Sequence, residues 1–582
     1  MKAGIMTLGL LIFYIHATCQ WYDNNWILGY DFEGNQSLSE TILVNFNSYP
    51  PSIAAYPLKL DFIATNITVS DEAGNFLFYS NGIQIHDKDD NLMPGGDSIN
   101  AGEVAFAHWF FGYTLSQGIM ALPAPGNPLQ YYLIHRKKEF NDSTGINVPD
   151  LLYTVVDMSL NNGKGAVVTK NNMVKKTFWF DSSAATLHAN GRDWWVLTPD
   201  YIQNKIYRFR LSPEGITDTA TQTIGYKPLS PDSTDGGGQN FFSPDGSVFV
   251  DYDGRNGIRI YDFDRCTGWL SNFRWIQLPL SLVSPGAAIS PNSRYLYVNQ
   301  RHLIFQFDLW ADDIAATLDT VAINDGFLTQ GIKVNFGAMI LGPDGKLYID
   351  GAPTRYMHVI NKPNEMGQAC DVRQHSILLP EYLGASLPYY PNYRLGPLDG
   401  SPCDTLGLDN HPLARFTWEA IDTLNPLLVE FTNNSFYEPT QWFWDFGGTG
   451  TSTEVNPLHT FPADGTYTVC LTVSNQYDSD TFCREVTVGV TGTKETEDTF
   501  SFTLYPNPGN GNVHLKYALP TGKVATWKLF DALGREWRSE NLSSGFTRHT
   551  VLLDSLPAGL YFYRLTIENE LVKSGSLVIQ AP

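Results

Sequence analysis

The sequence predicts an all-β protein whose first two thirds form a β-propeller. Three features point there: aromatic content, a spaced repeat, and turn residues at fixed offsets within it. Thirty Tyr, thirty-four Phe and fourteen Trp in 582 residues favour pleated surfaces, where aromatic rings pack well. A chain this long exceeds one core, so about three or four domains are expected. Aligning Gly74, Gly126, Gly191, Gly246, Ser293 and Gly345 sets the same kind of strand after each, from "NFLFYSNG" to "KLYIDGAP", at intervals of 52, 65, 55, 47 and 52 residues. A second strand follows in every unit, such as "GIRIYDFD". A third precedes the turn and opens on small residues, as in "GQNFFSPDG", "GAAISPNS" and "GAMILGPDG". Short strands with regular Gly/Pro/Asp turns are the mark of propeller blades. Six units are legible. A seventh, favoured over six, would be closed by "NNWILGYDF" or "TILVNFN" joining strands around "SILLPEYLGASLPYYPNYRL".

Residues 243–264, "SPDGSVFVDYDGRNGIRIYDFD", hold five aspartates and raise the question of a carboxylate site. A calcium loop of the EF-hand type fails, because Gly254 comes two places early and Arg255 stands where the third ligand belongs. Asp245 is expected to cap a Pro-Asp-Gly turn, and Asp262 and Asp264 to face solvent in alternation with Tyr261 and Phe263. Asp251 and Asp253, at a strand end, are expected to be exposed, with their joint replacement by Asn near neutral.

The N-terminus reads as a secretory signal peptide over residues 1–19: Lys2, the apolar run "GIMTLGLLIFYI", then small residues with cleavage after Cys19. A lipidated Cys19 remains the alternative, although His16 stands where an aliphatic residue belongs. No other stretch has the roughly 20 apolar residues of a membrane span. The net charge is −22; residues 404–492 hold twelve acidic against two basic residues, and residues 500–582 six against eight. With no basic face, a nucleic-acid partner is not expected. Cys470 and Cys483 fall on the polar side of a hairpin whose other side carries Val469, Leu471 and Val473, directly across from each other. A disulfide is expected there. The pairing of Cys266, Cys370 and Cys403 is left open.

Residues 404–492, with "VEFTNNS", "QWFWDFGGTG", "NPLHTF" and "GTYTVCLTVSN" in order, resemble the PKD domain, an immunoglobulin-like β-sandwich. Trp444, Asp445, Phe446 and Gly447 match its motif. Gly448 stands where the family has a second aspartate, which weakens any cation site in this turn. The resemblance implies a spacer or adhesive module. After a linker, 493–499, residues 500–582 resemble the type A C-terminal sorting domain of the bacterial type IX secretion system, a further β-sandwich. The match lies in "FTLYPNPGNGNVHLKY", "WKLFDALGREW" and "PAGLYFYRLTIENELVKSGSLVI", with Tyr505, Pro506, Asn507 and Pro508 the most specific part. This implies handling by the type IX machinery and delivery to the medium or cell surface. Residues 20–403 are similar to propellers found beside these modules, on "DEAGNFLFYSNG", "SQGIMALPAPGNPLQYYLIH", "FDRCTGWLS" and "GSPCDTLGLDN"; that likeness is architectural and implies no activity.

No H-E-x-x-H, G-x-S-x-G or Walker-type motif occurs. His86, His135 and His188 are scattered without ligand-spaced partners and are expected to pack. The aromatic runs "AHWFFGY" and "DWWV" are core residues or a carbohydrate-stacking platform. No catalytic, cofactor or metal residue is therefore expected. The reading is a secreted or surface binding and adhesion protein whose propeller loops meet a protein or glycan. The alternative is an extracellular hydrolase or lyase acting on polysaccharide or glycoprotein, with carboxylates drawn from several blades.

Overall fold

In the computed structural model the described residues are 20–31, 41–109, 111–141, 145–226, 238–278, 286–300, 302–385, 387–421, 425–489 and, with short breaks, 501–579. The expected signal peptide (1–19) and linker (493–499) lie outside them. Two compact bodies are present: one holds residues up to 421 with 428–462 and 466–486, and so includes most of a sandwich after the propeller strands described next; the other holds 422–427, 463–465 and residues from 487 onward.

The strands of the first body form seven consecutive small antiparallel sheets. They are β1–β3 (Asn25–Leu28, Ile42–Asn45, Ser52–Ala55) and β4–β6 (Ile67–Ser70, Phe76–Ser80, Ile85–Asp87). After a one-turn helix, α1 (Glu103–Ala107), come β7–β10 (Ile119–Ala124, Asn127–Asn141, Gly145–Asp157, Ala166–Lys176) and β11–β14 (Ala184–Leu187, Trp194–Pro199, Lys205–Ser212, Gly215–Thr223). Next are β15–β18 (Gly238–Phe242, Val248–Asp253, Gly257–Phe263, Leu270–Ile276) and β19–β22 (Ala287–Ile289, Tyr295–Gln300, Leu303–Asp308, Asp319–Ile323). A small hairpin, β23–β24 (Leu328–Thr329, Ile332–Lys333), precedes the last sheet, β25–β28 (Met339–Leu341, Leu347–Asp350, Tyr356–Ile360, Val372–Leu378). The body is a seven-bladed propeller, and each of the six aligned turns begins the second strand of its sheet.

The small residues that open the inner strands have a steric cause. A Cβ on Gly286 would overlap the carbonyl oxygen of Gly337, and one on Gly337 would overlap the Asp350 carboxylate. Neighbouring inner strands approach too closely there for any side chain. The Trp194–Trp195 pair is buried and is core, not a platform, whereas Phe106 and Phe111 around α1 are exposed.

The remaining blade is closed by both ends of the domain, but not by strand pairing throughout. Asn25 Nδ2 donates to Ser70 Oγ (2.9 Å) and Gly74 O (2.8 Å), and Ile27 N to Thr68 Oγ1 (3.1 Å), so β1 runs opposite to β4. Residues 382–394 run back along β1. Tyr382 O accepts from Tyr30 N (3.1 Å), Tyr390 Oη donates to Asn25 O (3.2 Å) and Thr68 O (2.9 Å), and Arg394 ends on Gln20 O and Asp23. β1 stands beside β4 as the first strands of the other blades stand beside one another, and this segment crosses the ends of several of them, Tyr393 Oη donating to Ala121 O (2.8 Å) and Asn392 Nδ2 to Pro244 O (2.7 Å). Pro388 and Pro391 lack N–H groups, so side chains hold it where a ladder would be expected. The "SILL" end of the predicted closing strand belongs instead to β28.

Beyond the propeller, β29–β35 (Phe416–Ala420, Leu428–Asn433, Gln441–Phe446, Thr451–Ser452, Leu458–Thr460, Gly465–Ser474, Ser479–Val488) form two sheets. Trp444 and Phe446 are fully buried between them while Asp445 faces outward, its carboxylate accepting from Gly448 N (3.0 Å). Gly447 and Gly448 both have positive φ, at 64° and 76°, which glycine adopts without strain. Cys470 and Cys483 are bridged. A spacer standing clear of the propeller is not what is seen. The Arg415 guanidinium lies over Trp21 (4.5 Å) and Phe482 (4.1 Å), Asn434 Nδ2 donates to Asp344 O (3.0 Å), and Arg373 pairs with Glu419 (2.9 Å). A second disulfide joins Cys266 to Cys403, and Cys370 is a buried thiol.

In the second body, β36–β42 (Ser501–Asn510, Asn512–Ala518, Val524–Phe530, Glu536–Ser543, Arg548–Leu552, Gly559–Ile567, Glu570–Ile579) run in the order β39-β38-β41-β42-β36-β37-β40. They enclose Trp527, Leu515, Leu529, Leu565 and Leu577. Tyr505, Pro506, Asn507 and Pro508 lie in β36.

Candidate functional site

Two places in the propeller combine polar chemistry with burial. The first is built on β15, β16 and β17, where Asn240 pairs with Asp251 and Asp251 with Arg259. Paired residues share a sheet face, as do residues two apart, so Asn240, Asp251, Asp253 and Arg259 point the same way. The segment before β11 brings Asp181 beside them, and one oxygen from each of the three aspartates lies within 4.8 Å of the others. Arg259 binds Asp251 and Asp253 (2.8 Å to the latter). Asp253 also accepts from Arg255 N (2.8 Å) and Asn256 N (2.6 Å), which holds the turn between β16 and β17.

These aspartates are buried, Asp251 at 3% exposure and Asp253 at 1%, which corrects the expectation that they face solvent. Alternation assumes one wet face, but β16 is a middle strand of a blade covered on both sides. The near-neutral Asn replacement therefore no longer follows, because breaking a buried pair typically costs about 3–5 kcal/mol. Burial raises the Asp181 and Asp251 carboxyls well above the ordinary carboxylate range, with Arg259 opposing the shift. The other three aspartates behave as expected. Asp245 accepts from Ser247 N (3.0 Å), Asp262 pairs with Arg274, and the exposed Asp264 caps Cys266 N (2.8 Å).

Amides stitch the inner strands together around this cluster. Gln239 Nε2 donates to Met339 O (3.0 Å) while its Oε1 accepts from Ala287 N and Met339 N (both 2.9 Å), so one side chain ties β15, β19 and β25. Gln117 Oε1 accepts from Asn240 N (2.9 Å). His135 is buried between Asn100 Oδ1 (2.7 Å) and Thr154 Oγ1 (2.9 Å), and burial holds its pKa down at about 3. His86 and His188 are likewise engaged locally, with Asp90 (3.3 Å) and Asn190 N (2.9 Å).

The second place is a cavity of about 540 Å³ at the lower end of the inner strands, reaching residues of the β29–β35 sandwich. Gln239, Asn292, Tyr389, Asn392, Asn434 and Tyr437 contribute to its wall; Asp181, Asp251 and Asp253 do not. Its acidic residues are committed: Asp23 to Arg394 (2.6 Å), and Asp245 to its turn. The sequence did not single out Asp181, Asn240, Arg259 or Arg394; only the distant pairing of strands brings them together.

The fold and these sites define an exported, modular β-protein with a propeller at its front. Residues 419–490 match the PKD domain family and residues 503–580 the secretion system C-terminal sorting domain family, so the chain carries both modules. The sorting domain marks it for export by the type IX system, to be secreted or held at the cell surface, and no helix among the described residues is long and apolar enough to cross a membrane. No curated protein matches the chain. Among solved structures, the PKD1 domain of a Vibrio cholerae metalloprotease is 34% identical, covering 13% of this chain and 96% of its own, with a TM-score of 0.12. A functionally unknown protein from Desulfotomaculum acetoxidans is 14% identical over 63% of this chain and 99% of its own, with a TM-score of 0.33. Virginiamycin B lyase from Staphylococcus aureus is 11% identical over 57% and 90%, with a TM-score of 0.23. The fold assignment rests on the sheets themselves.

Proposed function

We propose that this is a non-catalytic binding and adhesion protein. The propeller and PKD domain together present a site for an extracellular protein or glycan, and residues 500–582 address the chain to the type IX machinery. The supporting observation is the division between the two polar places. The open cavity is walled by amides, tyrosines and apolar side chains, its two aspartates being held by Arg394 and by a turn, while the convergent carboxylates are turned onto Arg259. General acid or base work needs a carboxylate or imidazole within reach of a substrate proton. With cleavage after Cys19, the domains proposed are 20–403, 404–492 and 500–582.

The test is a screen of the full secreted chain against extracellular polysaccharides and glycoproteins, reading both binding and product release. Saturable binding without turnover, weakened when Asn292→Trp fills the cavity, is the expected result. Release of cleaved or unsaturated product that Asp181→Asn abolishes, with melting intact, would overturn this reading in favour of a hydrolase or lyase.

A further inference from the structure

The cluster on β15–β17 is more than an ion pair. Three carboxylates face one guanidinium, with Arg136 also in reach of Asp181, and the raised Asp181 and Asp251 carboxyls show that these two cations do not fully offset them. A residual buried charge is costly unless something compensates it. A second observation is independent of charge. Asn240 is fully buried, its Nδ2 donates to Ser182 O (2.8 Å), and its Oδ1 has no hydrogen-bond partner among the described residues. Asn240 pairs with Asp251 across the strands and its Nδ2 reaches the residue after Asp181, so its amide lies between two members of the cluster. An unpartnered buried acceptor beside excess carboxylate is the complement of a cation.

Coordination geometry favours one ion over the other. Oxygens on opposite sides of calcium stand up to about 4.6–5.2 Å apart, while the octahedral shell of magnesium spans about 4.2 Å. The aspartate oxygens lie within 4.8 Å of one another, a bound that admits either span; what favours calcium is its tolerance of irregular geometry, since magnesium demands a near-ideal octahedron and sheds water reluctantly. Asp253 is largely spent on its turn and on Arg259, so it contributes charge more than a free ligand. We propose that Asp181, Asp251 and the Asn240 side-chain carbonyl, backed by Asp253, bind one calcium ion at the start of β15. Water completes the shell of six to eight oxygens that calcium takes.

The experiment uses the full chain after chelation, measuring heat of binding and melting temperature with calcium or magnesium chloride. Calcium is expected to bind near one equivalent and raise the melting temperature by mass action, with magnesium much weaker. Asn240→Ala and Asp181→Asn should each lose most of that response, while Asp262→Asn, outside the cluster, keeps it. Should Asn240→Ala fail to fold, Asn240→Asp serves instead, and its added carboxylate should tighten calcium at least several-fold. Absence of both heat and shift in the wild type would overturn the proposal. So would a calcium response surviving in the Asn240 and Asp181 variants, or an equal response to magnesium.

Discussion

In the β15–β18 blade, neighbours in space are neighbours in sequence: each strand pairs with the next, and Arg259 meets Asp251 and Asp253 only 8 and 6 residues away. The closing blade is built the other way. Arg394 meets Asp23 across 371 positions, and Tyr390 meets Asn25 across 365. Loop-closure entropy grows by about 0.6 kcal/mol per doubling, so the distant contacts start about 3 kcal/mol behind local ones. The local blade is held by backbone ladders that few substitutions reach. The closing blade rests on single side chains, and single changes should tell there.

The Cys266–Cys403 bridge links the two regions, since Cys266 follows β17 and Cys403 follows the closing segment. Its 137-residue separation makes it the largest contributor. Replacing both cysteines with serine should remove roughly 4–5 kcal/mol by the chain-entropy estimate. The matching change at Cys470 and Cys483, separated by 13, should cost less. Calorimetry of the two double variants decides it, and equal losses would break the contrast. Arg394→Ala leaves the Asp23 carboxylate buried without its partner and should cost about 3–5 kcal/mol. Limited proteolysis should then open the first 60 residues before the β15–β18 blade.

Asp61 supplies a pH probe of the closing region. It accepts from Asp31 N (3.2 Å) and Phe62 N (3.0 Å), and burial raises its pKa to about 7. The folded value lies above the unfolded one near 4, so its contribution is most favourable below that pH and is lost as pH rises through about 7. Stability should fall by on the order of 2 kcal/mol across that window from this group alone. Asp61→Asn should flatten that part of the melting profile, and an unchanged slope would show the carboxyl to be hydrated. The smallest effect expected is Tyr390→Phe, which deletes one hydroxyl bonding to two carbonyls, at about 1 kcal/mol.

Six blades were legible because Gly, Pro and Asp turns recur where hairpins need them, and Trp444 and Phe446 read inward because that sandwich does have one wet face. The Cys470–Cys483 pair was legible for the same reason. Asp251 and Asp253 were misread because a position at a strand end says nothing about what a neighbouring blade packs over it. Asp181 and Asn240 carried no linear signal: neither stands in a motif, and they meet only through blade packing. The Cys266–Cys403 pairing and the Arg394 clasp join segments that local pattern cannot relate.

The clasp also sets an order of events during export. The ring lacks the segment that bridges the ends of its inner strands until Arg394 has been exported. Until then the cluster of Trp26, Leu28 and Ile42 has Tyr348, Met357 and Val359 against it but lacks Leu383 and Leu387. A chain arrested short of that residue is expected to leave part of that cluster exposed and to be cut there sooner than the finished domain. The sorting module begins about a hundred residues later still. Any chain that presents its address to the outer-membrane machinery has therefore already brought out the segment that seals its propeller.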